Sequence, residues 1–414
     1  MATLIGRLFG LLLGITILLT GMGLLGSLLG LRATEAHFPG WELGLVMSGY
    51  FAGFIVGSFL CPVLIRRVGP IRSFAAFAAI VASATLAHAL AVNPWSWLAL
   101  RLVTGTAMVG LYMVTESWLN ASLPRPYRVQ IFSFYAMLTL VAMAAGQFLF
   151  FAVPANGTAL FLVAGMLIVA GLIPVTATRL DQPPAVSAPR LPPLDLLRRA
   201  PFAVAGTFLS GLTTGAFWGL GAAFAARLGF SPGQIGLFVA CTVAGGIVAQ
   251  WPLGRLSDRV GRPPVMIAAA ALGCVFALLL AAATQGPEWP LLIFGFGFGA
   301  MALCLYALAV AHMNDVLEPP EVLSATQGLL LATGVGSMLG PLIAGMMFDA
   351  AGARGLPLYL AAVLAIFALS GLLYSLRRVM PRPREQSEFV PMVRTSQVAL
   401  EIVEESRGPQ PGGP

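Results

Sequence analysis

The sequence predicts an all-α membrane protein in which twelve transmembrane helices form two six-helix bundles related by a pseudo-twofold axis. Apolar residues make up 58% of the 414 residues and charged residues only 9%, whereas about a quarter of a soluble domain is charged. The chain also repeats itself at an offset of 192 residues, which becomes 194 further along. Two such halves suit membrane bundles related by an axis along the membrane normal. Matched pairs include Gly53 and Gly245, Gly69 and Gly261, and Gly105 and Gly299.

Each half contains six apolar stretches long enough to cross about 30 Å of hydrocarbon. Turn-forming segments separate them, such as His-Phe-Pro-Gly at 37–40 and Ser-Pro-Gly at 231–233. We expect one bundle at 1–177, a Pro-rich cytoplasmic linker at 178–200, a second bundle at 201–376 and a partly disordered cytoplasmic tail at 377–414. The predicted spans are 8–31, 42–65, 71–93, 95–119, 129–152, 157–177, 201–226, 233–255, 263–284, 288–312, 323–348 and 354–376.

The basic residues, all arginine, predict the orientation. With both termini in the cytoplasm, nineteen of the 23 lie on that side, while Arg32, Arg227 and Arg354 lie outside and Arg101 falls within span 4. The positive-inside rule therefore predicts a multi-pass protein of the cytoplasmic (inner) membrane with both termini inside. Because the arginines are dispersed between apolar runs, they indicate contact with the lipid bilayer and argue against nucleic-acid binding.

The loop between spans 8 and 9 carries the most specific motif. Residues 254–263 read Gly-Arg-Leu-Ser-Asp-Arg-Val-Gly-Arg-Pro. This resembles the Gly-x-x-x-Asp-(Arg/Lys)-x-Gly-(Arg/Lys)-(Arg/Lys) signature of the major facilitator superfamily. With the duplication, the resemblance implies that fold over residues 1 to about 378. Residues 116–120 (Glu-Ser-Trp-Leu-Asn) are also similar to a YcaD-like bacterial branch. The matching gating-loop residues are Gly254, Asp258, Arg259, Gly261 and Arg262.

The first-half copy of this loop departs from the motif, since Arg66 stands where the second half has Asp258. The resemblance implies that the loop after span 2 faces span 11 and that the loop after span 8 faces span 5. The approach to span 11 is acidic and the approach to span 5 is basic. These charges are alternatively solvated and worth about 0–1 kcal/mol each. We predict a crossed cytoplasmic latch made of two sets of ion pairs. In one set, Arg66 and Arg67, just before Gly69, pair with Asp315 and Glu318. In the other, Asp258 pairs with Arg125 and Arg128.

Span 4 carries two charges inside the membrane, Arg101 and Glu116. Each costs about 2.5–3.5 kcal/mol on insertion scales, so a functional role is the default hypothesis. Fifteen residues separate them, about 22 Å along a helix, so they cannot pair with each other. Arg101 is a candidate for coupling or substrate binding, and the alternative is structural anchoring. Glu116 is a candidate for proton coupling or substrate binding, and the alternative is a bridge to Arg66, Arg67 or Arg128.

The resemblance places a central cavity between spans 1, 4, 7 and 10. Tyr112 and Tyr306 occupy matched positions on spans 4 and 10 and are candidates to face each other across it. Thr214 and Trp218 belong to a stripe on span 7 and are further substrate candidates, although such stripes also arise from ordinary helix packing.

Charged chemistry is expected in the first bundle, because Gly295 and Val310 replace Arg101 and Glu116 in the second. The resemblance implies a secondary transporter that moves a small organic solute by alternating access with coupling to protons. The low charge of the presumed cavity favours a neutral or amphipathic solute, while Arg101 could equally select an anion. A transporter-like sensor without net flux is the alternative from another class.

An enzyme is not expected. The sequence contains no phosphate-binding Gly-Lys-Ser/Thr loop, no His/Glu metal cluster and no nucleophile paired with a base at plausible depth. The four cysteines lack the paired spacing of disulfide or metal sites. We therefore expect no cofactor, and a monomer whose partners are a small-molecule substrate, protons and lipid.

Overall fold

The computed structural model describes residues 2–122, 128–153, 157–178, 200–317 and 319–377. In these residues the predicted all-α fold is confirmed, with twelve helices in the order expected from the hydropathy. The predicted linker and tail lie outside the described residues, apart from their first or last positions. The helices are α1 (Ala2–Glu35), α2 (Gly40–Val68), α3 (Pro70–Leu90), α4 (Pro94–Ser122), α5 (Arg128–Ala152), α6 (Ala159–Ala177), α7 (Pro201–Arg227), α8 (Pro232–Val260), α9 (Arg262–Ala283), α10 (Trp289–Val316), α11 (Pro319–Ala351) and α12 (Gly355–Arg377).

Glycine and proline set the ends of several helices. Gly69 separates α2 from α3 with φ 90°, and its match Gly261 separates α8 from α9 with φ 108°. Residues with a side chain rarely adopt such positive φ values, so glycine is needed at both turns. Proline occupies the first helical position of α3, α7 and α8, where its missing N–H costs no hydrogen bond.

The helices differ from the predicted spans in length and continuity. Span 4 was predicted at 95–119, whereas α4 covers Pro94–Ser122, because the helix continues beyond its apolar part. Two helices contain a local break, at Gly171 in α6 and at residues 303–304 in α10. Only the 3-10 turn Gly352–Arg354 divides the apolar stretch Gly328–Leu376 into α11 and α12.

The repeated glycines mark the closest helix crossings of each bundle. A Cβ atom on Gly53 of α2 would collide with the backbone of α4 at Leu102, and one on Gly105 of α4 would collide with the backbone of α2 at Tyr50. The same relation holds in the second half for Gly245 and Phe296, and for Gly299 and Thr242. The sequence duplication is therefore a duplication of helix crossings.

Helix neighbours confirm the pseudo-twofold relation. In the first bundle α1 packs on α5 and α6, α2 on α4, and α3 on α4 and α6. The second bundle repeats these pairs as α7 with α11 and α12, α8 with α10, and α9 with α10 and α12. Between bundles, α2 packs on α11 and α8 packs on α5, two contacts that the axis exchanges, and α1 packs on its counterpart α7.

Candidate functional site

The two ends of the molecule are named by their loops. We call the end with Gly69 and Gly261 the inner face, and the opposite end, with the connections after α1 and α7, the outer face. The orientation that puts both termini in the cytoplasm stays a prediction, and it makes the inner face cytoplasmic.

The bundles are in close contact near the outer face. Gly44 of α2 lies against the backbone of Pro341 on α11, and Gly236 of α8 lies against the backbone of Gln147 on α5. A Cβ atom at either glycine would overlap a backbone oxygen across the interface. Because the two contacts are related by the pseudo-twofold axis, they close the outer face symmetrically.

A carboxylate at the end of α11 holds the beginning of α2. Asp349 accepts hydrogen bonds from the backbone N–H groups of Gly40, at 2.6 Å, and Trp41, at 2.9 Å. The residue before this helix, Pro39, provides no side-chain cap. An aspartate at a helix N-terminus satisfies exposed donors and interacts favourably with the helix dipole. One bundle therefore caps a helix of the other.

Arg227, at the end of α7, completes this contact. Its guanidinium lies 4.5 Å from the centre of the Phe348 ring and donates a 3.4 Å hydrogen bond to the carbonyl oxygen of Phe38. The charge of Asp349 also acts on it. We call Asp349, Arg227 and the N-terminus of α2 the outer latch. The sequence interpretation missed it, although Arg227 is among only three arginines predicted on this side.

Arg101 lies where α4 packs on α2. Only 7% of its surface is exposed, and its Nε atom has no hydrogen-bond partner. The guanidinium carbon lies 4.4 Å from the centre of the Tyr50 ring, a cation–π contact. Burial was expected for this arginine, but Tyr50 was not identified. The sequence did contain a signal for this contact. Tyr50 and Arg101 both differ from the residues at their matched positions in the second half, and the match of Tyr50 is Thr242.

Glu116 is fully buried near the inner end of α4. Its charge acts on the hydroxyl groups of Tyr112, one turn earlier on the same helix, and of Tyr135 on α5. Tyr112 in turn contacts Phe54 of α2, with 6.2 Å between ring centres. The carboxylate therefore lies near tyrosine side chains of α4 and α5, and Tyr112 connects this site to α2.

The remaining substrate candidates have packing roles in this structure. Tyr306 is buried in a small cluster with Ala203 and Leu329. Thr214 is buried and donates a 2.8 Å hydrogen bond to the Ser210 carbonyl oxygen of its own helix. Trp218 is half-buried against Phe217. Their assignment to substrate stays a prediction.

At the inner face the motif loop folds around Arg262. This arginine is fully buried and forms ion pairs with Asp258, at 2.5 Å, and with Asp315 of α10, at 3.1 Å. It also donates a 2.5 Å hydrogen bond to the Ser257 hydroxyl. By contrast Arg259 is exposed and Gly254 is buried in α8. Arg262 therefore joins its loop to α10 within the second bundle.

The described residues include only part of the predicted crossed latch. Arg66 and Arg67 are exposed, while Asp315 contacts Arg262 of its own bundle. Glu318 and the side chains of Arg125 and Arg128 lie outside the described residues. The crossed latch stays a prediction.

Comparison with known proteins agrees with this architecture. The family model described as Major Facilitator Superfamily matches residues 203–407. The MFS-type transporter YcaD of Escherichia fergusonii is 31% identical over 341 residues, covering 82% of this chain and 88% of that protein. The protein of the same name from Salmonella typhimurium is 32% identical over 344 residues, with the same shares.

Solved transporters share the fold at low sequence identity. The nucleoside transporter NupG superposes with a TM-score of 0.75 at 14% identity, covering 88% of this chain and 98% of that chain. A bacterial homologue of the human lysosomal transporter Spinster, inward-facing and occupied, gives a TM-score of 0.72 at 16% identity, covering 92% and 97%. The fold, the duplicated helix crossings and the YcaD relatives agree, and the chain belongs to the major facilitator superfamily of membrane transporters.

Proposed function

We propose that this protein is a secondary active transporter that moves a small organic solute across the cytoplasmic membrane by alternating access, coupled to protons. The observation that carries the proposal is the pairing of α2 with α11 and of α5 with α8 across the bundle interface. Rocking of one bundle against the other would separate both pairs at once, because the axis exchanges them. The closed outer face is then one end state of the cycle.

Proton coupling is assigned to Glu116. A carboxylate without exposed surface inside a membrane helix is costly when ionised, and such residues mark proton relays. Binding and release of a proton here would change the charge next to Tyr112 and Tyr135. The bundle movement would alternate the side of the membrane from which that proton arrives.

Flux under an imposed pH gradient tests the proposal. Purified protein in proteoliposomes is offered a panel of radiolabelled neutral, anionic and cationic solutes. We expect accumulation of at least one solute to depend on the gradient. Glu116→Gln should abolish gradient-driven accumulation but retain exchange of labelled for unlabelled solute, since exchange needs no net proton movement. The exposed Glu35, which pairs with Arg32 at 2.7 Å, provides the control Glu35→Gln.

The outcomes separate coupling from a structural role and from sensing. Loss of both accumulation and exchange in Glu116→Gln would contradict the coupling role and favour a structural one. Saturable binding without flux in the unaltered protein would favour the alternative, a transporter-like sensor. Equal effects of Glu35→Gln and Glu116→Gln would show that a general loss of acidic charge is responsible.

A further inference from the structure

Arg101 is a buried cation whose charge no carboxylate of the described residues balances by an ion pair. With 7% of its surface exposed, it also leaves Nε without a hydrogen-bond partner. The Tyr50 ring lies 4.4 Å from the guanidinium carbon, and such a cation–π contact supplies no hydrogen-bond acceptor. Buried polar groups are normally paired, so the Nε–H donor of this group is available to an acceptor.

The arginine is not needed to pack the two helices. At the matched crossing of α8 and α10, Thr242 stands for Tyr50 and Gly295 stands for Arg101. A Cβ atom on that glycine would already lie 2.9 Å from the threonine Oγ1. The second bundle therefore builds the same crossing without a cation, and the charge in the first bundle is an addition to the fold.

The surroundings of the guanidinium are aromatic and face the interior. Tyr50 and Phe54, with 6.4 Å between ring centres, are half-buried. They lie on the face of α2 opposite Val56 and Phe59, which are exposed in the manner of lipid-facing residues. Phe54 continues the aromatic wall to Tyr112. An occupant beside Arg101 would thus meet aromatic rings along its body.

We propose that Arg101 binds the carboxylate of the transported solute, and that the solute is a small organic carboxylate with an aromatic or otherwise planar body. The proposal rests on the transport function proposed above and names its substrate class. The planar guanidinium fork matches a carboxylate in two parallel hydrogen bonds.

One unit of charge fits a monoanion better than a phosphate dianion. Among the described residues, the further titratable groups that interact with Arg101 are Tyr50 of α2 and His88 of α3. The histidine Nδ1 lies 2.6 Å from the Ala84 carbonyl oxygen of its own helix and therefore donates to it. Its Nε2 is buried without a hydrogen-bond partner, so a second proton on the ring would be costly. A dianion beside Arg101 would therefore leave excess negative charge buried.

Equilibrium binding to the full-length protein in nanodiscs tests the assignment. The probes are benzoate, phenylacetate, cinnamate and indole-3-acetate, each compared with its uncharged primary amide at equal ionic strength. At least one carboxylate should bind ten-fold or more tightly than its own amide. Arg101→Gln should remove that preference, and Arg101→Lys should keep part of it. Arg32→Gln, which removes a half-buried arginine near the outer face, should leave it unchanged.

The comparison within the unaltered protein requires no variant, so misfolding of Arg101→Gln cannot obscure the result. The proposal is overturned if no carboxylate binds more tightly than its amide, or if the preference survives in Arg101→Gln. Flux of a neutral or cationic solute that Arg101→Gln leaves unchanged would overturn the substrate class but leave the transport function standing. Carboxylate binding without flux would support the substrate class but contradict the transport function.

Discussion

Arg262 shows how a charged loop residue becomes part of the core. The superfamily motif places it at the inner face, where a long side chain could remain solvated. Instead it is fully buried between Asp258 and Asp315, and the latter carboxylate is itself 1% exposed. Such a pair holds α9 to α10, but its desolvation cost offsets much of the attraction between the charges.

Removing one member of this pair should lower the free energy of unfolding by more than the intact pair contributes to it. Arg262→Gln leaves the buried carboxylate of Asp315 without the arginine charge, and we expect a loss of about 3–5 kcal/mol in the free energy of unfolding. Thermal unfolding of the detergent-solubilised protein measures it. Arg259→Gln, at an exposed neighbour in the same loop, should unfold at the temperature of the unaltered protein. An equal decrease in both variants would contradict the role of burial.

For single residues, the sequence predicts whether a charged side chain is buried better than it predicts which residue that side chain contacts. The apolar surroundings of Arg101 and Glu116 indicate that both are buried, as observed. The contact between Arg101 and Tyr50 depends on how α2 and α4 are rotated about their axes, which no local pattern specifies. Only the coincidence of two failures in the repeat, at these two positions, points to the pair.

Among the helices, the glycine crossings are the most restrictive contacts. Gly105 and its match Gly299 bring α4 and α10 against the backbones of α2 and α8. Gly26 of α1, by contrast, has open space where a Cβ atom would be. Helix propensity alone favours alanine over glycine by about 0.8–1.0 kcal/mol at an interior helix position. The structural environment therefore decides the sign of a glycine substitution.

We expect Gly105→Val and Gly299→Val to reduce the yield of folded protein strongly, since a side chain at either position must push two backbones apart. Gly26→Ala should preserve or raise thermal stability. Size-exclusion profiles and unfolding temperatures of the three variants provide the measurement. Normal folding of both valine variants would show that these crossings are looser than the structure indicates.

Hydropathy predicts the number and order of the helices because each must bury about 20 apolar residues in lipid. It does not predict where they end, since backbone hydrogen bonds continue after the apolar run has stopped, as in α4 and α11. It also does not predict the local breaks at Gly171 and at residues 303–304. The break at Gly171 accompanies its close approach to the Gly14 backbone of α1.

For the molecule as a whole, the pseudo-twofold axis relates two helix N-termini that are capped in different ways. The hydroxyl of Ser231 caps α8 from within its own bundle, in a reciprocal arrangement with Gln234. The matched end of α2 depends on Asp349 of the other bundle. The duplication predicts which helices meet across the interface, but this asymmetry could not be predicted, because the cap comes from a helix some 300 residues away in sequence.

Opening of the outer face must break the cap of α2 and leave that of α8 intact. Replacing a capping residue by alanine costs about 0.5–2 kcal/mol, and here the cost falls on the closed state alone. Asp349→Ala should therefore increase the ratio of outward-open to outward-closed molecules by a factor of roughly 2 to 30, as 1.4 kcal/mol corresponds to about ten-fold. Spin labels at the exposed positions Val92 and Gln285, in a cysteine-free background, report the distance across the outer face, and a longer-distance population should appear.

The control is Glu42→Gln, which removes an acidic residue from the first turn of α2. This residue is present in the first turn in both states, so the variant should leave the distances unchanged. If Asp349→Ala also leaves them unchanged, the outer latch does not set the balance between the two states.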